Sequence, residues 1–431
     1  MTTNTQPKPE GTNADQRHWI FAPFSPNFVG IGWFVWAIFT VIVAVRTGLH
    51  PERNSVSACY RVASECWWHG RGMYENVYDD KFNDIYNGFV YLPHAAIFYS
   101  PFYGLPLWLG ESLNRTVIIA IMAWAIWRIT RLASGRTWNE YFFTVSAITI
   151  GVGAGNAING QYNLPLAGTL ILAACTLIEK RWWWASIWLV VSILLKPIAI
   201  APALLAFALF PALWWRLPAV LLGAFALPFA LSPHGPGYAW AEYENFWTKV
   251  VRAAQPLPRR FAEFSTVLWW FGLDLSNAQR TICRALAAVA TLGLGFVARR
   301  RLGLRDGTLI LWALGVAYIV IFNPRTEGLT YVVVAPALAL FGAIEFTAER
   351  SPRWRRSVGL FLLAMGILMI FVHELMPRSG AYYAVAQGSK DLLVRPIMAM
   401  IFYVWLAWLA LAAHRSLLPE ADLTPAVRSS R

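Results

Sequence analysis

From residue 28 onward the chain alternates long apolar runs with short polar clusters. A helix needs about 20 residues to cross a hydrocarbon layer, and runs of that order fall near 28–47, 114–132, 139–157, 164–179, 182–195, 198–215, 217–231, 279–298, 307–322, 329–346, 357–373 and 396–413. The pattern predicts an all-α polytopic membrane protein with about 12 transmembrane helices in a single embedded unit, 28–413, between short tails at 1–27 and 414–431. Residues 91–110 are also apolar but carry Pro93, Pro101 and Pro106. They read as a re-entrant or broken helix, which membrane depth tolerates only where the backbone is packed in protein or lines a wet cavity. Within the long connection 48–113, the spacing of Val56, Cys59, Tyr60, Ala63, Cys66 and Trp67 predicts an amphipathic helix over 55–70, lying on the membrane surface. A second long connection, 232–278, holds the run from Trp240 to Trp247.

Composition fits a lipid solvent: 57% of residues are hydrophobic and 14% charged, with a mean hydropathy of +0.47. Trp67-Trp68, Trp182 to Trp184, Trp214-Trp215 and Trp269-Trp270 sit at the ends of apolar runs, where amphipathic rings favour the headgroup layer. The net charge of +13 is split into short clusters rather than gathered on one domain, which argues against a nucleic-acid partner and for orientation by charge. Arg128/Arg131/Arg136, Lys180/Arg181, Arg216, Arg299/Arg300/Arg301/Arg305 and Arg350/Arg353/Arg355/Arg356 occupy alternate connections. The positive-inside rule makes these cytoplasmic, along with both termini. The connections 48–113, 158–163, around Lys196, 232–278, 323–328 and 374–395 then share the outer face. The first 25 residues are polar and resemble no cleavable signal, so the first span doubles as a signal anchor.

Ionisable groups at membrane depth are costly and face cavities or partners. Lys196 interrupts an apolar run before Pro197; it reads either as a snorkelling residue at a hairpin or as a cation facing a phosphate. The turn from Asn156 to Asn163, with Asn159 and Gln161, is either a capped helix-helix turn or a set of amides for sugar hydroxyls. Arg325 and Glu327 are either a mutual ion pair or a phosphate-binding guanidinium beside a proton-accepting carboxylate. The first outer loop supplies Glu65, Glu75, Asp79, Asp80 and Asp84, then Tyr91 and His94. His69, His234 and His373 share that side without metal-site spacing, and Cys59 and Cys66 stand seven apart, about 10 Å along a helix and beyond disulfide reach.

Four stretches carry a family likeness: Tyr60-Arg61-Val62-Ala63 with Gly70 to Tyr74; Phe89 to Pro93 running to Ser100-Pro101-Phe102; Gly160 to Asn163 with Leu195-Lys196-Pro197; and Asn323 to Glu327 through Ala335-Pro336-Ala337. In order and spacing the chain resembles the GT-C glycosyltransferases of family 87 over about residues 28–345. The resemblance implies a GT-C-like fold and inverting transfer of a hexose, mannose foremost, from a polyprenyl-phosphate donor to a hydroxyl of a lipid or glycan acceptor. That transfer would occur on the extracytoplasmic side of the cell membrane, with neither nucleotide sugar nor metal or other cofactor. The family pattern also carries an Asp base a few residues before the tyrosine that Tyr60 resembles, whereas here 54–58 reads Asn-Ser-Val-Ser-Ala. Glu327, then Glu65 and Asp84, are therefore the candidate bases. Lys196 and Arg325 are the candidate phosphate ligands, and Gln161, Asn163, Tyr91 and His94 the candidate pocket residues. A transporter or flippase would also bury charge, but with repeat-like halves and acids inside its spans. A ligase of lipid-linked glycan would draw several arginines together, from among Arg252, Arg259, Arg260, Arg325 and Arg378.

Overall fold

The computed structural model describes residues 22–53, 56–74, 77–79, 84–86, 89–134, 138–254, 261–348, 353–372 and 382–412. Apart from two three-residue strands, β1 (Val77–Asp79) paired antiparallel with β2 (Asp84–Tyr86), the regular structure of the described chain is helical. The helices are α1 (Asn27–Leu49), α2 (Ser57–His69), α3 (Pro93–Tyr103), α4 (Leu107–Ala133), α5 (Phe142–Asn159), α6 (Asn163–Ile178), α7 (Trp182–Leu195), α8 (Ile200–Leu209), α9 (Arg216–Leu231), α10 (Gly235–Ala254), α11 (Phe264–Trp270), α12 (Asn277–Phe322), α13 (Ala335–Thr347), α14 (Arg353–Phe371) and α15 (Tyr382–Ala412). Among the described residues seven helices are long and apolar enough to cross a membrane, and four further apolar helices are shorter. α12 bends at Gly303, whose φ of 76° breaks the helix into arms 277–302 and 304–322. The protein is an all-α polytopic membrane protein.

Burial sorts these helices by solvent. α1 buries only Gly32, Trp36, Val43 and Thr47 and turns Phe34, Val41 and Ile42 outward; the indole of Trp36 ties it to α5 by donating to Ser146 Oγ at 2.9 Å. α9 and the 277–302 arm are equally open, with Leu222, Ile282, Leu286 and Val289 exposed. Apolar surface on this scale marks contact with lipid. α6, by contrast, is buried from Asn163 through Leu177 and α13 from Ala335 through Glu345, so these two form the centre of the bundle. Small residues let backbones meet there: a Cβ on Gly359 of α14 would collide with the backbone nitrogen of Phe346 in α13.

The helix expected over 55–70 forms as α2, but it is not laid open on a membrane surface. Every residue from Ser57 to Ser64 is buried, because α3 covers it; Ser64 Oγ donates to Ala96 O at 2.6 Å. The apolar stretch 91–110 divides into α3 and the first turn of α4, separated at Gly104–Pro106. The eleven residues of α3 rise about 16 Å, half a hydrocarbon layer. Its C-terminal end is satisfied by protein: Arg61 Nη2 reaches Tyr103 O at 3.1 Å and Leu105 O at 3.3 Å.

Candidate active site

The site grows from a turn. α5 ends at Asn159, and Gly160 reverses the chain with φ +64. A side chain would fail there twice over, because a Cβ would also lie 2.9 Å from Ser57 and 3.3 Å from Arg115. The reversal brings Asn156, Gln161 and Asn163 together: Asn163 Nδ2 donates to Gln161 Oε1 at 3.0 Å and Asn156 Oδ1 at 3.1 Å. Asn156 Nδ2 in turn donates to Leu329 O at 2.8 Å. All three amides are buried.

Lys196 enters from another pair of helices. α7 stops where Pro197 begins a 3-10 turn, and Lys196 takes an extended conformation between them. Its Nζ donates to Asn163 Oδ1 at 2.7 Å. The ammonium is thus the end of a polar relay running Lys196, Asn163, Asn156, Leu329. Leu329 lies two residues beyond Glu327, which opens the 3-10 turn Gly328–Val333 and is exposed. Burial lowers the pKa of Lys196, and the negative charge of Glu327 acts against that. Glu327 also reaches Tyr91 electrostatically, adding to the effect of burial in raising the phenol.

Aromatic rings close one side. Tyr60 stacks on Tyr162 at 4.0 Å between centroids and meets Tyr91 edge-on at 4.9 Å, while Tyr74 donates its hydroxyl to Tyr91 O at 2.6 Å. Lys196, Gln161, Asn163, Tyr91 and Glu327 are therefore brought to one end of the bundle. Between α2, α3 and the end of α9 lies an apolar groove of about 580 Å3, lined by Trp67, Trp68, Ile97, Tyr103 and Leu231 among others.

The remaining candidates stand apart from that cluster. Arg325 shares the connection with Glu327, but its guanidinium lies over the Phe261 ring at 5.7 Å, and the described ion pairs do not join it to Glu327. Its Nε is buried without a hydrogen-bond partner. His94 points into α9 and α10: its Nε2 contacts Ala224 O at 2.8 Å and its ring packs against Phe225 and Tyr243. Glu65 is held by Arg71 at 2.6 Å. Asp84 lies in β2, and its side chain falls outside the described residues, as do those of Glu75, Asp79, Asp80, Arg252, Arg259, Arg260, His373 and Arg378.

Two buried groups went unnoticed in the sequence. Glu111 and Arg115 of α4 are fully enclosed and paired with each other, and the Glu111 carboxylate also accepts from the hydroxyls of Ser57 and Tyr99. An acid four residues before a base is a recognisable helical pair, but here it sits at the margin of an apolar run, where charges are ordinarily solvated.

The cluster offers a cation, a fan of amide donors and acceptors, and an exposed carboxylate beside an aromatic wall. That set suits a ligand with an anionic group and a polyol, and a reaction that removes a proton. A family model described as glycosyltransferase family 87 matches residues 89–324, more than half of the chain. The matched stretch takes in Tyr91, His94, Gln161, Asn163 and Lys196 and ends just before Arg325 and Glu327. The search of curated proteins returned no match.

Proposed function

Because the chain belongs to glycosyltransferase family 87, we propose that it transfers a hexose, mannose foremost, from a polyprenyl-phosphate donor to a hydroxyl of a lipid or glycan acceptor. The proposed setting is the extracytoplasmic side of the cell membrane. The observation that carries this reading is the convergence of Lys196, the Asn163–Gln161 amides and Glu327 at one end of a lipid-embedded bundle.

In this reading the donor phosphate lies against the Lys196 ammonium. The apolar groove between α2, α3 and α9 gives the isoprenoid tail a surface that matches it. Glu327 accepts the proton of the acceptor hydroxyl. The acceptor oxygen forms its bond to the anomeric carbon from the face opposite the phosphate, and the bond from that carbon to the phosphate oxygen breaks. Inversion results, and the electron pair leaves with polyprenyl phosphate, whose added charge Lys196 stabilises. Gln161, Asn163 and Tyr91 hold the sugar by its hydroxyls.

The test incubates purified protein with a panel of polyprenyl-phosphate sugars and acceptor lipids and looks for donor-dependent product. Turnover with one donor supports the proposal, and Glu327→Gln is then expected to lose on the order of 100-fold or more in kcat, the scale of a lost general base. Full activity of Glu327→Gln removes it as the base and returns the role to Glu65 or Asp84. No turnover with any donor by folded protein overturns the proposal in favour of transport or ligation.

A further inference from the structure

The Glu111–Arg115 pair ties together the elements that surround the α5–α6 turn. Glu111 accepts from Ser57 in the first turn of α2, from Tyr99 of α3 and from Arg115 of its own helix. Arg115 then donates its Nε to Ile158 O at 2.9 Å, in the last turn of α5. A third link closes the ring, from Val56 N to Asn159 O at 2.9 Å. Gly160 has no side chain at the point where Ser57 and Arg115 press against the turn. One carboxylate therefore joins α2, α3 and α4 to the α5–α6 turn, and that turn delivers Asn163 to Lys196.

We propose that Glu111 is a positioning residue for the site: by fixing Ser57, Tyr99 and Arg115 it sets the α5–α6 turn, and through Asn163 it sets the direction of the Lys196 ammonium. The position is telling. The stretch 54–58 has no acid of its own, and the carboxylate that reaches Ser57 comes from α4 instead. Arg115 occupies Glu111 and both are enclosed, which gives the pair a holding role rather than a proton-accepting one. A buried pair of this kind contributes specificity of arrangement more than net stability.

The experiment reads Lys196 directly, so it does not depend on the donor assigned above. Purified full-length protein in detergent is treated with an amine-reactive acetylating reagent, and labelling rates of Lys196 and Lys180 are followed by mass spectrometry. Lys180, at the opposite end of α7, is the internal control. Ser57→Ala, Tyr99→Phe and Glu111→Gln are each expected to raise Lys196 labelling severalfold, because Nζ loses its fixed acceptor, with Lys180 unchanged. With a working donor, kcat/KM for the donor falls severalfold, because the same ammonium binds the phosphate and steadies it as it departs.

Should Glu111→Gln fail to fold, because the Arg115 charge is left buried without its carboxylate, Ser57→Ala and the double change Glu111→Gln/Arg115→Met carry the test. Unchanged Lys196 labelling in folded variants overturns the proposal whatever the enzyme's activity. Faster labelling of Lys196 alone, together with no turnover by the wild-type protein on any donor, upholds the positioning role and sinks the transferase reading by itself.

Discussion

At the scale of single residues, the Lys196–Asn163 contact is where charge, amide and backbone meet, and its consequences can be separated. A hydrogen bond to a charged group is worth roughly 1.5–3 kcal/mol, so Asn163→Ala should weaken donor binding about tenfold or more. Asn163→Asp should do worse, since a carboxylate would claim the ammonium that the phosphate needs; isothermal titration with polyprenyl phosphate distinguishes the two. A second outcome concerns pH. Lys196 is already below its ordinary pKa through burial, and Glu327 opposes that shift; Glu327→Gln removes the opposing charge, so the pKa falls further. The alkaline limit of polyprenyl phosphate binding should therefore move to lower pH in Glu327→Gln. An unmoved limit would show that the two charges do not communicate. Lys196, Gln161, Asn163 and Glu327 were legible in the sequence because each is polar where lipid would choose otherwise. Glu111 was not, because an acid and a base one turn apart look self-sufficient, and only the fold shows that Ser57, Tyr99 and Ile158 converge on them.

At the scale of elements, the apolar runs located the helices well, since a residue-by-residue cost of burying polar groups in lipid leaves few alternatives. The run 198–215 ends early as α8 because Pro211 begins a 3-10 turn, and 329–346 opens with a 3-10 turn before α13. What periodicity could not convey is packing on more than one side: α2 has an amphipathic pattern, yet α3 covers the face that pattern would leave open. Arg61 is the price of that arrangement, a buried guanidinium spent on the carbonyls at the end of α3. Arg61→Met should leave both carbonyls unsatisfied at about 1–3 kcal/mol each, lowering the thermal midpoint in detergent; a midpoint equal to that of the wild type would mean that water replaces the guanidinium. Elsewhere, Gly359→Ala should force α13 and α14 apart, at about 1–3 kcal/mol for an overpacked contact, read in the same melt.

At the scale of the whole molecule, the site requires that connections far apart in sequence lie on one side of the bilayer. The contacts already join the α5–α6 turn, the α7–α8 junction and the 3-10 turn Gly328–Val333 at one end of the bundle; what lies beyond them is the direction that end faces. The arginines at 299–305 and 353–356 argue for it, because they fall at the far ends of α12's first arm and the start of α14, and positive charge is retained on the cytoplasmic side. Single cysteines in a variant lacking Cys59, Cys66, Cys175 and Cys283 resolve the matter. Glu52→Cys and Glu327→Cys, both at exposed positions, should react with a membrane-impermeant maleimide added to intact cells. Arg300→Cys and Arg353→Cys, also exposed, should react only after permeabilisation. Reaction of Arg300→Cys and Arg353→Cys in intact cells, with Glu327→Cys protected until permeabilisation, would turn the enzyme over in its membrane and place its chemistry among cytoplasmic substrates, where a donor built on a lipid phosphate would have to present its sugar inward.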